Sequence, residues 1–278
     1  MDIQIIAEIG SNWIKYKERE KNIELALRQI DKAAECGADY VKFQSYQFED
    51  LYGFKKPDNS TFKDIYISLI ELEVLADYCV KTKIKFMCTA FRKYDYERIN
   101  PFVELHKIAS CESTDLDLIE AVLAFNKPVV ISTGGLLAVE IDKIKGVCDT
   151  KRENVILADC VIKYPADGTD YSLIQIAEWR REGYGAALSD HTLSYHTALA
   201  AKGLGATVFE KHVDFYLSEG KTVDSCVSIG LKEFRQYINI LKHGQSSKII
   251  DKEQRTEALK YLRKKHVLGY YRPLPHAI

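Results

Sequence analysis

The chain of 278 residues has a formal net charge of −1, with 46% hydrophobic and 28% charged residues. It can therefore bury a sizeable core, and it offers no broad basic surface for nucleic acid. No basic stretch leads into a long apolar run at the N-terminus, and no apolar run nears the roughly twenty residues of a membrane span, so the sequence predicts a cytoplasmic chain with small-molecule partners, no membrane and no nucleic acid.

In chain order, short apolar runs alternate with amphipathic stretches. "IQIIAEIG" precedes "NIELALRQIDKAAECGA", where Ile23, Leu27, Ile30 and Ala34 recur at helical spacing. "YVKFQ" follows; then "LIELEVLADYCVKTK" leads to "IKFMCTA", "YDYERINPFV" to "LHKIAS", and "TDLDLIEAVLAFN" to "KPVVISTGG". The series continues with "VEIDKIKGVCD" and "NVILADCV", "YSLIQIAEWRREG" and "YGAALSD", "YHTALAAKGLG" and "ATVFEKHV", and closes on "LKEFRQYINILKH". Strands that are apolar nearly throughout, separated by helices, belong in a parallel sheet covered on its faces. Eight such units over residues 1–243 match the size of an α/β fold of the (β/α)8 TIM-barrel type, a single catalytic domain followed by a helical tail over 244–278. Periodicity alone does not show closure, and a doubly wound open sheet is the alternative. Seven cysteines, an odd number with no C-x-x-C pair, several of them inside apolar runs, read as free thiols in a reducing compartment.

In a barrel the chemistry sits at the C-terminal ends of the strands. Each strand end here carries polar residues. The first ends in Glu8, the second carries Lys42 and Gln44, the third Thr89, and the fourth Lys107, Ser110 and Glu112. The fifth ends in Ser132, Thr133 and Gly134, the sixth leads to Lys163 and Tyr164, the seventh to Ser189, Asp190 and His191, and the eighth to Lys211 and His212. Hydroxyls at strand ends are what any loop provides. Lysines embedded in apolar runs are less ordinary, because each needs an anionic partner. That partner is either Glu8 or Glu112 within the fold, or the phosphate and carboxylate of a ligand. His191 and His212 close neighbouring strands of a barrel, within reach of one ion. Imidazole suits Zn, Mn, Fe or Co, and two protein ligands with open positions would favour catalysis over structure.

The ordered set "AEIGSN", "GADYVKFQ", "MCTAF", "HKIASCESTDLDLIE", "KPVVISTGG", "LSDHT" and "GATVFEKH" resembles the sialic acid synthase family, which comprises N-acetylneuraminate, legionaminate and pseudaminate synthases and related spore-coat polysaccharide enzymes. The resemblance spans residues 3–242. It implies a (β/α)8 barrel and a transferase that condenses phosphoenolpyruvate with the open-chain aldehyde of an N-acetylated amino sugar, releasing phosphate and giving a nonulosonic acid. It implies a divalent metal, Mn or Mg, with His191 and His212 as ligands; Co and Zn also suit imidazole. It places Lys42, Thr89, Lys107, Ser110, Ser132, Ser189 and Lys211 on phosphoenolpyruvate. Glu8, Gln44, Glu112, Tyr164 and Asp224 would surround the sugar and the reacting centre, with Glu8, Glu112 and Tyr164 as catalytic candidates.

The chain departs from the family pattern after its first strand, where the glycine of the family motif is also missing, and after its sixth. Trp13 stands where the family has a histidine, and Val161 and Ile162 replace polar residues after the sixth strand. The chain is also expected to carry no counterpart of the family's C-terminal antifreeze-like domain, which in the family delivers an arginine to the partner subunit's site. A homodimer is compatible with the apolar helix faces. Two other functions fit the residues: a Schiff-base aldolase with Lys163 as nucleophile, and a degenerate barrel that binds sugar or phosphoenolpyruvate without turnover.

Overall fold

The structure is a computed structural model that describes residues 2–47, 50 and 65–244. The chain divides into two compact units, Met1–Lys242 and His243–Ile278. The expected helical tail over 244–278 lies, from residue 245 on, outside the described residues.

The first unit contains eight parallel strands: β1 (Gln4–Gly10), β2 (Tyr40–Ser45), β3 (Lys85–Ala90), β4 (His106–Ile108), β5 (Val129–Ser132), β6 (Val155–Cys160), β7 (Gly185–Asp190) and β8 (Val208–His212). The described helices are α1 (Arg19–Cys36), α2 (Leu69–Thr82), α3 (Lys93–Ile99), α4 (Leu116–Leu123), α5 (Ala138–Cys148), α6 (Ile174–Arg181), α7 (His196–Gly203) and α8 (Leu231–His243). Hydrogen bonding orders the strands β3-β2-β1-β8-β7-β6-β5-β4. Because β1 pairs with β8 on one side and β2 on the other, the two chain ends of the sheet are joined. The remaining seam, β3 beside β4, closes by packing, and the sheet is a (β/α)8 TIM barrel.

Local chemistry supports the helix boundaries. Ser68 and Glu71 form a reciprocal capping box at the start of α2, the Asp115 carboxylate accepts from the Leu118 N–H at the start of α4, and α1 stops at Gly37 in the left-handed region, φ 86°.

Alternation along each strand sorts side chains into two layers. One set, including Ile5, Ala7, Val41, Phe43, Phe86, Ile108, Ile131, Leu157, Leu188 and Phe209, packs outward against the helices. The other points inward. Ile6, Tyr40, Met87, Leu105, Val130, Ala158, Ala187 and Val208, one from each strand or the residue before it, form a separate buried cluster that plugs the N-terminal half of the barrel. Two residues further along the same inward rows lie Glu8, Lys42, Thr89, Lys107, Ser132, Cys160, Ser189 and Glu210. The apolar plug thus forms the floor beneath a polar layer. Among the described residues, no helix is long and apolar enough to cross a membrane.

Candidate active site

The polar layer opens into a cavity of about 450 Å3 at the C-terminal end of the strands. Of the residues singled out in the sequence, Lys42, Gln44, Thr89, Lys107, Ser110, Ser132, Tyr164, Ser189, His191, His212 and Asp224 line it together. The rim adds Tyr46, Phe91, Cys111, Ile162, Val223 and Cys226.

At the bottom, charges alternate. Lys42 Nζ lies 2.8 Å from Glu8 and 3.6 Å from Glu210, while Lys107 Nζ lies 2.7 Å from Glu210. Ser189 donates to Glu210 at 2.8 Å, Lys42 to the Thr89 hydroxyl at 3.1 Å, and Gln44 to Glu8 at 2.6 Å. Burial drives the Glu8 pKa up, against the pull of Lys42. Glu210 is buried as deeply, but two lysines hold its pKa down. Two lysines thus face Glu210, which they hold ionised, and Glu8, a carboxyl that burial makes harder to ionise. The Ser132 hydroxyl is buried beside them without a hydrogen-bond partner, and a buried hydroxyl left so needs an acceptor or donor from elsewhere.

The two imidazoles stand at the other side of the cavity, ring centroids 5.3 Å apart. His191 Nδ1 meets the Val161 carbonyl at 2.5 Å. Donation there fixes the tautomer and leaves the Nε2 lone pair toward the Tyr164 hydroxyl, 3.3 Å away. Burial pushes the His191 pKa down to about 3 and lowers that of His212 as well, so both rings are neutral at pH 7. His212 Nδ1 is buried without a hydrogen-bond partner. Two neutral imidazoles, one with its tautomer set by a carbonyl, suit a divalent cation with open positions. No cluster of three or more His, Cys, Asp or Glu side chains able to hold a metal occurs among the described residues.

The loops are tied to the site. β1 bulges at Gly10, φ 54°, and a Cβ there would collide with the Asp224 carboxylate. The absent side chain lets Ser11 donate to Asp224 from both N and Oγ, at 2.6 and 2.7 Å, which fixes the β8–α8 loop over the pocket.

Four expectations need correction or refinement. Lys211 does not line the cavity: it lies on the outer face of β8, wholly buried, 3.2 Å from Asp190. Strand alternation is the cause, since His212 points inward and its immediate neighbour must point out. The inward acid on that strand is Glu210, which sequence reasoning passed over although it shares the parity of His212. Glu8 and Glu112 are also absent from the lining; Glu8 sits beneath Lys42 and Gln44, and half-buried Glu112, its pKa raised to about 7 by burial, accepts from the Cys111 thiol at 3.0 Å. Lys163 is exposed and paired with Asp170 at 2.8 Å, which raises its pKa. A Schiff-base nucleophile needs the opposite, an amine made neutral by desolvation.

The departures at Trp13 and Ile162 differ in kind. Trp13 is fully buried outside the barrel, edge-on to Phe43 with the Arg19 guanidinium 4.5 Å over its ring. Ile162 lines the cavity, resting where a Cβ on Gly135 would come within 2.9 Å of it.

The geometry agrees with what the chain is similar to. It is 30% identical over 228 residues to the N,N'-diacetyllegionaminic acid synthase of Campylobacter jejuni subsp. jejuni serotype O:2, covering 75% of this chain and 66% of that protein. To the pseudaminic acid synthase of C. jejuni subsp. jejuni serotype O:23/36 it is 28% identical over 266 residues, covering 87% and 74%. The chain thus spans about two thirds to three quarters of the length of these relatives. The crystal structure of the N-acetylneuraminic acid synthetase of Leptospira borgpetersenii serovar Hardjo-bovis in complex with citrate matches with a TM-score of 0.79 and 28% identity, covering 96% of this chain and 93% of that one. The NeuB family model matches residues 29–248, most of the 278, and the chain belongs to the NeuB family.

Proposed function

We propose that this protein is a carbon–carbon bond-forming transferase that condenses phosphoenolpyruvate with the open-chain aldehyde of an N-acetylated amino sugar, giving a nonulosonic acid and phosphate. The observation that carries the reading is the division of one cavity into two chemistries: a lysine-rich floor with an unpartnered serine hydroxyl, and a pair of neutral imidazoles.

Phosphoenolpyruvate would lie over Lys42 and Lys107, with Thr89, Ser110, Ser132 and Ser189 as hydroxyl partners. The two lysines compensate its phosphate and carboxylate charges, and they stabilise the phosphate as it departs. C3 of the enol bonds to the aldehyde carbon, water adds at C2, and phosphate leaves, so that each product atom comes from the enol, the aldehyde or water. NeuB enzymes are generally metal-dependent; His191 and His212 would hold a divalent cation, Mn or Mg in our reading, whose Lewis acidity makes the aldehyde carbon electrophilic. Gln44, Tyr164 and Asp224, which line the cavity above the floor, would orient the sugar hydroxyls. Glu112, with its pKa raised to about 7, could take up or give back a proton at working pH, and Glu8 tunes the charge of Lys42 from below.

The test is phosphate release from phosphoenolpyruvate in the presence of N-acetylmannosamine, its 6-phosphate, diacetamido sugars and simple aldoses, each with and without Mn. Release that requires both an acceptor and the cation is expected. Binding of phosphoenolpyruvate with no release under any of these conditions would leave a non-catalytic barrel instead.

A further inference from the structure

On the outer face of the barrel, Asp190 of β7 and Lys211 of β8 are directly paired in register and completely buried. Three successive cross-strand positions near the ends of these two strands are polar. Ser189 and Glu210, inside, are hydrogen-bonded at 2.8 Å; Asp190 and Lys211, outside, are 3.2 Å apart; His191 and His212, inside again, have ring centroids 5.3 Å apart. The middle pair also grips the turn that follows His191. Asp190 Oδ1 accepts from the Thr192 N–H at 2.9 Å and its hydroxyl at 2.8 Å, and Lys211 Nζ donates to the Thr192 carbonyl and lies 3.5 Å from that of Ser194. The ammonium also stands 5.6 Å from the Tyr237 ring of α8.

A buried ion pair is a poor way to stabilise a fold, because desolvation offsets much of the attraction and an apolar pair of similar volume does as well. What such a pair does well is fix register, and a slip of one residue in either strand here would turn that strand's imidazole out of the cavity and leave the other without its partner. We propose that Asp190 and Lys211 are positioning residues for His191 and His212, an outer clamp that sets the separation and direction of the two rings so that they bind one divalent cation. The inference rests on the reading of those histidines as cation ligands.

Mn2+ binding to the full chain, followed by the electron paramagnetic resonance signal of the free ion, tests it without recourse to turnover. The double variant Asp190→Asn/Lys211→Met removes both charges together and so leaves no unpaired buried ion. It should melt cooperatively and keep the stabilisation given by phosphoenolpyruvate in the absence of cation, yet bind Mn2+ about tenfold or more weakly. A folded double variant with wild-type Mn2+ affinity overturns the clamp and leaves the ligand reading intact; a wild-type chain that retains no Mn2+ overturns both. Thr192→Val, which removes only one hydroxyl from the clamp, covers the case in which the double variant fails to fold. It should weaken Mn2+ by about fivefold, the effect of one hydrogen bond, and unchanged affinity in it also overturns the clamp.

Discussion

The two ends of the barrel interior are built by the same strands, two residues apart, and held by opposite physics. At the N-terminal end Ile6, Met87, Val130 and Val208 belong to an apolar plug. At the C-terminal end Glu8, Thr89, Ser132 and Glu210 follow them on the same inward faces. In the plug, any side chain of suitable volume satisfies the packing. In the polar layer Glu8, Lys42, Thr89, Lys107 and Glu210 are each bound to a particular partner, so removing one leaves another stranded. The lower layer serves stability and the upper one chemistry, and substitutions should separate them.

The largest separation is expected from His191→Ala or His212→Ala, which should abolish phosphate release while thermal melting stays near that of the wild type; full activity in either variant would break the assignment of the imidazoles. Next is Lys107→Met. It leaves Glu210 with its more distant lysine, at 3.6 Å, and should cost about 3 kcal/mol of stability in urea unfolding. Adding Glu210→Gln should restore much of that stability without restoring turnover. Met87→Ala opens a cavity in the plug and should cost about 2–5 kcal/mol, yet Mn2+ binding should persist in the folded fraction. If Met87→Ala abolished Mn2+ binding in protein that is still folded, the two layers would not be independent.

The smallest effect is one of pH. Burial raises the Glu8 pKa above its ordinary 4.5. A raised carboxyl pKa means that the unfolded chain releases the proton first, so this residue's contribution to stability is full below pH 4.5 and is lost as pH rises through the raised value. Glu8→Gln should therefore flatten the fall in urea midpoint above pH 4.5, whereas Met87→Ala should leave that slope unchanged.

Much of the site was legible because a strand end in a helix-covered sheet is a place where buried lysines and histidines are conspicuous. Lys42, Lys107, His191 and His212 stand out in apolar runs, and the structure brings all four into one cavity. Lys211 was equally conspicuous and lies outside it. Glu210 was not singled out and lies at its centre. Parity was the missing signal: with His212 inside, Val208 and Glu210 share its face, and Phe209 and Lys211 do not. Tyr46 and Phe91 on the rim carried no signal, since apolar residues just past a strand end are common and only the fold gathers these at one mouth.

The sequence by itself determined the repeated strand and helix units, the polar character of the strand ends and the family, because periodicity and residue type are properties of the chain. Which way each strand faces was decided only by tertiary structure. Both faces of these strands are buried, one by helices and one by the opposite wall, so hydrophobicity does not distinguish inside from outside. Only the closing of the sheet assigns Glu210 to the cavity and Lys211 to the helix layer.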